Sequence, residues 1–141
     1  VTHKRQLIRE AIRLRLEDIP ELAGRCHSTR SRPTEARELP VAIIYTLSEN
    51  AEQISVGRTL MRTLSAVIEI RASAAGAIDN ALDDLSQVVE RTMALDPTFG
   101  RKALNSALAS TTVGLDGEGE TRQAIATLTY NVRYQTDGNG N

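Results

Sequence analysis

Few side chains in this sequence could do chemistry. Its histidines are His3 and His27, and its one cysteine, Cys26, adjoins the second. Neighbours on an extended segment point to opposite faces, so Cys26 and His27 cannot converge on a metal or pair as nucleophile and base. No second Cys/His pair supplies metal-site spacing. Two carboxylate pairs, Asp83-Asp84 and Glu118 with Glu120, could be read as acid and base. The first falls in the early turns of a predicted helix, whose dipole accounts for it. The second falls in a glycine-rich tip, a poor support for groups that catalysis must hold to a fraction of an ångström. Gly114-x-x-Gly117-x-Gly119 lacks both the Gly-Lys-Ser/Thr ending and the following helix of a phosphate loop. Arg30, Arg32 and Arg37 on one polar segment could grip phosphate or a partner's carboxylates. With two lysines in the chain and no interleaved aromatics, a solvated loop or a protein contact fits them better than nucleic-acid readout. The residues predict no catalytic site, no cofactor and no metal.

Residues 122–135 predict the strand that organises the fold. Ala124, Ala126, Leu128, Tyr130, Val132 and Tyr134 alternate with Gln123, Ile125, Thr127, Thr129, Asn131 and Arg133. A period of two with no Pro or Gly describes a strand buried on one face. Residues 3–18 predict a helix, with Ile8, Ala11, Ile12, Leu16 and Ile19 on one side, Thr2 as N-cap and Pro20 as the stop. A short strand is expected around 25–28, and 30–37 reads as loop. Residues 39–47 predict a strand covered on both faces, begun by Pro40, and 48–57 a polar, acidic loop. Alternation resumes over 58–73, with Leu64, Ala66, Ile68 and Ile70 inward. An amphipathic helix follows over 78–95, with Ile78, Leu82, Leu85, Val89 and Met93 as its stripe. Residues 102–115 favour helix at first and strand at Ser110-Thr-Thr-Val113, and 137–141 is expected to fray as a flexible tail after a single domain over 1–136. The order α-β-β-β-α-β-β predicts an α+β fold in two layers: a mostly antiparallel or mixed sheet of about five strands with two helices on one face.

Length, composition and charge narrow the function. A chain of 141 residues can bury a real core, and with aromatics at 3% that core is aliphatic. The single cysteine excludes an internal disulfide. No apolar run approaches the roughly 18 residues of a membrane span and no signal peptide opens the chain, so an intracellular product without membrane contact is expected. The net charge of −1 gives no general pull toward nucleic acid, although residues 1–37 hold nine Lys/Arg against five Asp/Glu.

Taken in order, four motifs resemble the tail terminator family of long-tailed bacteriophages, typified by the lambda-type minor tail protein U. They are His3-Lys-Arg-Gln-Leu-Ile-Arg-Glu-Ala-Ile12, Glu38-Leu-Pro-Val-Ala-Ile-Ile-Tyr45, Leu64-Ser-Ala-Val-Ile-Glu-Ile70 and Ala126-Thr-Leu-Thr-Tyr-Asn-Val-Arg-Tyr134. The 30–37 loop and the 114–119 tip depart from the family pattern. The resemblance implies a virion protein, assembled in the host cytoplasm, that forms a hexameric ring. That ring caps the head-proximal end of the tail tube, stops its polymerisation and offers a surface to a head-completion protein. Its partners would be further copies of itself, the tail tube protein and the head-tail connector, with genome DNA passing through the bore without tight binding. On this reading the less polar outer strand faces nominate Val67, Glu69, Arg71, Ile125, Thr127 and Arg133 for the subunit interface. The polar loops nominate Arg30, Arg32, Arg37, Glu49 and Glu52 for axial partners. The alternative is a small nucleic-acid-binding module with a fold like that of double-stranded RNA-binding domains, echoed by helix, three strands and helix.

Overall fold

The computed structural model describes residues 2–28, 39–73, 78–117 and 122–141. It is an α+β fold with five strands in one mixed sheet and two helices against one face. Helix α1 (Lys4–Leu16) forms because Ile8, Ile12 and Leu16 recur every fourth residue, and all three are fully buried. Its cap is His3, not Thr2: His3 Nδ1 accepts the Arg5 N–H at 3.0 Å. Arg13 and Arg15 in the last turn complement the helix dipole. A 3-10 turn (Pro20–Leu22) then leads into β1 (Cys26–His27), which pairs in parallel with β2 (Val41–Gln53).

Strand β2 runs further than its composition predicts. Residues 48–53, expected as loop, continue the strand and pair with the start of β3 (Leu60–Ser73). They are polar because most of them face solvent, and backbone pairing overrides composition. A bulge between Thr46 and Glu49 inserts an extra residue, and the hairpin closes through 54–59 with Arg58 at φ 65°. Beyond helix α2 (Ile78–Ala94), the helix expected at residue 102 does not form. Instead Phe99, Gly100 and Arg101 all take positive φ, and β4 (Asn105–Asp116) begins directly. Asp96 fixes that turn by accepting from Thr98 N, Thr98 Oγ1 and Gly100 N, and these bonds hold its carboxyl well below the usual carboxylate range. Phe99 turns into the core, with the Arg15 guanidinium over its ring at 5.7 Å.

Strand β5 (Gln123–Thr136) returns between β3 and β4, so the spatial order is β1-β2-β3-β5-β4, antiparallel throughout except at β1. The expected alternation of β5 holds from Ala124 to Tyr134. Those side chains, with Leu64, Ala66, Ile68 and Ile70 of β3, meet Leu82, Val89 and Met93 of α2 and the stripe of α1. Ser86 shares that buried stripe of α2, while Ile78 and Leu85, expected in it, are only partly buried. Residues 137–141, expected to fray, fold back: Asp137 Oδ1 accepts from the N–H groups of Asn139 and Asn141. Gly140 lies against His3 so closely that a Cβ would stand 2.7 Å from His3 Cδ2.

Burying one Leu or Ile contributes about 1.5–3 kcal/mol, and emptying its site adds a cavity penalty. Ile12→Ala is therefore expected to cost about 2–5 kcal/mol in urea unfolding. Leu95→Ala, at a side chain 80% exposed, should change stability by less than about 0.5 kcal/mol. Equal losses at the two positions would contradict this account of the core.

Candidate functional site

The best-defined polar cluster joins the start of α1 to the sheet. By simple alternation Glu49 would face away from the helices. The extra residue in the β2 bulge turns it inward, opposite Leu64. There Glu49 Oε2 accepts from Arg5 Nη1 and Arg62 Nη1, each at 2.7 Å, and Oε1 accepts from the Tyr134 hydroxyl. Arg62 Nε also donates to Thr136 Oγ1 at 2.7 Å. Burial by itself would raise the Glu49 pKa. The bonds from Tyr134 and Arg62 and the charges of Arg5 and Arg62 outweigh it, so the carboxyl titrates below its ordinary value. Tyr134 is driven the other way, by burial first and then by the carboxylate it bonds. Burial and then the Arg5 and Arg62 charges lower the His3 pKa, favouring the neutral ring whose Nδ1 caps α1. Every group here is satisfied by another, which makes the cluster a clamp between elements. Glu49 is thus no partner-loop residue, a correction to the expectation from composition.

The outer face of the sheet also uses much of its charge internally. Arg71 donates to Glu69 at 2.9 Å, to Gln123 at 3.2 Å and to Asp116 at 3.4 Å, tying β3, β5 and β4 together. Val67, expected as leftover apolar surface, is fully buried between Tyr45 and Thr129, its direct partners across the sheet. Ile125 and Thr127 are half-buried and Arg133 is exposed. Glu52 is exposed, but on a strand rather than a loop. Arg30, Arg32, Arg37, Glu118 and Glu120 lie outside the described residues.

Cys26 is buried and donates to the Leu22 carbonyl at 3.4 Å, while His27 faces the other way, half-buried. Burial, followed by the Glu17 charge, pushes the thiol up to about 12. Asp79, Asp83 and Asp84 stand exposed along the first turns of α2. Gly114 sits within β4 as strand. Among the described residues no group of three His, Cys, Asp or Glu could hold a metal ion, and no helix is long and apolar enough to cross a membrane. A cavity of about 500 Å³ lies between the start of α2 and the sheet. Leu39, Pro40, Ile78, Leu85 and Val88 line it, and Glu21 and Asp84 are its only acids. Among the described residues Ser73 is the one hydroxyl on its wall, and no basic residue lines the cavity to activate it.

What the sequence did not announce is the state of β4. It is an edge strand, exposed at every position but Ser106, and Leu108, Val113 and Leu115 are 37%, 57% and 59% exposed. These three share the helix-side face, opposite Tyr130, Ala126 and Ala124, yet α2 packs on β3 and β5 and leaves them open. The run of Thr111, Thr112 and Val113 is the signal for a strand, but nothing local says that a helix stops short of it.

Glu49→Gln keeps the shape of the clamp and removes its charge. At neutral pH the loss should be about 1–3 kcal/mol in urea unfolding. A folded-state pKa below the ordinary value gives stability that is complete above that ordinary value and lost as pH falls through the lowered one. The gap between wild type and Glu49→Gln should therefore narrow below about pH 4. A gap that held constant down to about pH 3 would show that the carboxylate charge does not hold the cluster. Scanned against protein-family models the chain matches none, and no curated protein matches it.

Proposed function

We propose that this chain is a structural subunit that closes with copies of itself into a ring and caps the head-proximal end of a phage tail tube. There it ends tube growth and presents a surface for head joining. The reading draws on the resemblance of the four ordered motifs to tail terminators. The observation that carries it is the open side of the sheet: a 12-residue edge strand on which Val113 and Leu115 are more than half exposed and Leu108, beside the end of α2, is partly exposed. Isolated chains rarely leave such an edge bare, and a partner that pairs with it satisfies both its backbone groups and its apolar strip. A head-to-tail contact of this kind closes into a ring when its rotation divides the circle. Capping then requires a ring whose one rim matches the tube and whose other rim does not accept another tube layer.

The partners on this reading are the tube protein on one rim and a head-completion protein on the other, with genome DNA moving through the bore. Each phosphate neutralised adds a salt-dependent hold on DNA with a slope near −0.9, so a bore that lets DNA slide needs a sparse basic lining. The acids Asp79, Asp83 and Asp84 at the start of α2 also disfavour the duplex-binding alternative, which needs lysines there.

Tail tubes polymerised with and without the protein, viewed by electron microscopy, test the proposal. The expected result is uniform tube lengths with one ring at a single end when the protein is present, and overgrown tubes when it is withheld. Unchanged length distributions without end density would reject it. Tight duplex binding in a gel shift at physiological salt would favour the alternative.

A further inference from the structure

The sheet is open on both sides, and its two open edges match. Strand β1 pairs with β2 only at Ala42 and Ile43, so among the described residues no strand covers the outer side of β2 over 46–53. On the opposite side no strand among the described residues pairs with the outer edge of β4. We infer that the 105–109 half of β4 in one copy adds to the 46–53 edge of β2 in a second copy, continuing one sheet through the assembly. This rests on the ring reading for closure and names the surface that the ring would use.

Strand direction is the first support. From β2 to β3 to β5 to β4 each neighbour is antiparallel, so β4 runs opposite to β2. A second copy related by rotation about an axis along the strands keeps its direction, and its β2 therefore meets β4 antiparallel. The contact is head-to-tail and leaves the same two edges free for the next copy.

Shape is the second. Each edge strand departs from regular pairing once, β2 between Thr46 and Glu49 and β4 between Leu108 and Ser110. Traced across the sheet, those bulges fall at residues 64–66 and 66–67 of β3, nearly one height. Bulges bend a strand and sharpen its twist, so two edges bent at one height can stay in contact past the bend.

Charge is the third. Asn50, Thr63, Arg133 and Asn105 form one row across the sheet, with Asn50 at one open edge and Asn105 at the other. Arg133 on that row is exposed on the outer face. Glu52, two residues beyond Asn50 on β2, is exposed on the same face. With copies at equal height, Arg133 of one copy and Glu52 of the next stand two strands apart on one face, about 12 Å between Cα atoms by strand spacing, so their opposite charges attract across Asn105.

Thiol cross-linking of the full chain tests this, because buried Cys26 leaves a quiet background. Asn50→Cys and Asn105→Cys are each prepared alone and together, and treated at high protein concentration with a short bis-maleimide. The linker tolerates a stagger of a residue or two. The expected results are a heterodimer from the mixed single variants, little product from either alone, and a ladder of covalent oligomers from the double variant. At low salt Arg133→Glu should lower the yield, by up to about fivefold, and adding Glu52→Arg should restore it. Dimers from Asn105→Cys alone would show a two-fold β4–β4 contact and overturn the assignment, as would the absence of product from every variant folded by circular dichroism. A chain that caps tubes without cross-linking keeps the ring reading and loses this edge. One that cross-links without capping does the reverse.

Discussion

Two helices cannot roof this sheet. Helices pack about 8–10 Å apart and strands about 4.8 Å, so each helix shelters about two strands. Helix α1 lies over β1 and β2, and α2 over β3 and β5, which leaves β4 as the fifth strand outside the roof. The consequences reach along the chain. Under the helices the core draws on β2, β3 and β5 and on Cys26 of β1, whereas β4 leaves Leu108, Val113 and Leu115 partly in solvent. The sheet therefore ends in an unpaired backbone ladder rather than in a helix or a loop.

The Glu49 clamp adds a polar tie between α1 and the β2 side to the apolar seat made by Ile8, Ile12 and Leu16. A carboxylate this enclosed is stable only because two guanidinium groups and a phenol surround it. Three elements meet there: Arg5 comes from α1, Arg62 from β3 and Tyr134 from β5. The His3 cap, the folded-back 137–141 segment and the Lys4 bond to the Gln135 carbonyl at 2.9 Å lie at the same end. The Glu49 cluster thus ties the first turn of α1 to β3 and β5, alongside the buried Ile8, Ile12 and Leu16 that seat the helix.

The parts of the fold legible in the sequence are those where one face is buried and the other is not. Along β5, Ala124 to Tyr134 alternate cleanly because α2 covers one side, and period two survives in the residue types. Glu49 was not legible. A single inserted residue in β2 reverses which way it points, and nothing in Ser48-Glu-Asn-Ala-Glu-Gln53 marks a bulge. Alternation along β3 gives the face of Val67 but not its exposure, because its sheet neighbours Tyr45 and Thr129, not a helix, bury it. The start of β4 misread for another reason. Ala103 and Leu104 favour helix locally, but the Ala103 N–H is bound to the Thr98 carbonyl at 3.0 Å and the Leu104 N–H to the Arg133 carbonyl at 2.8 Å, which commits the chain to the sheet. Long-range pairing decides such cases, and it leaves no local trace.

An unpaired strand of this length invites uncontrolled association, and the chain restrains it unevenly. The lower half of β4 carries Gly114, which weakens a ladder, and Asp116, which places a charge at the edge. At the same height on the other side of the sheet, β1 occupies the edge of β2 at Ala42 and Ile43. The upper half of β4 has neither device: from Asn105 to Ala109 it is neutral and free of glycine, and it ends at the bulge. Opposite it, β2 is bare from residue 46 upward among the described residues. The guarded halves and the open halves therefore face each other across the sheet at matching heights. The alignment is what a sheet needs if it is to admit one neighbour in one register and refuse the indefinite, register-free stacking that bare edges otherwise allow.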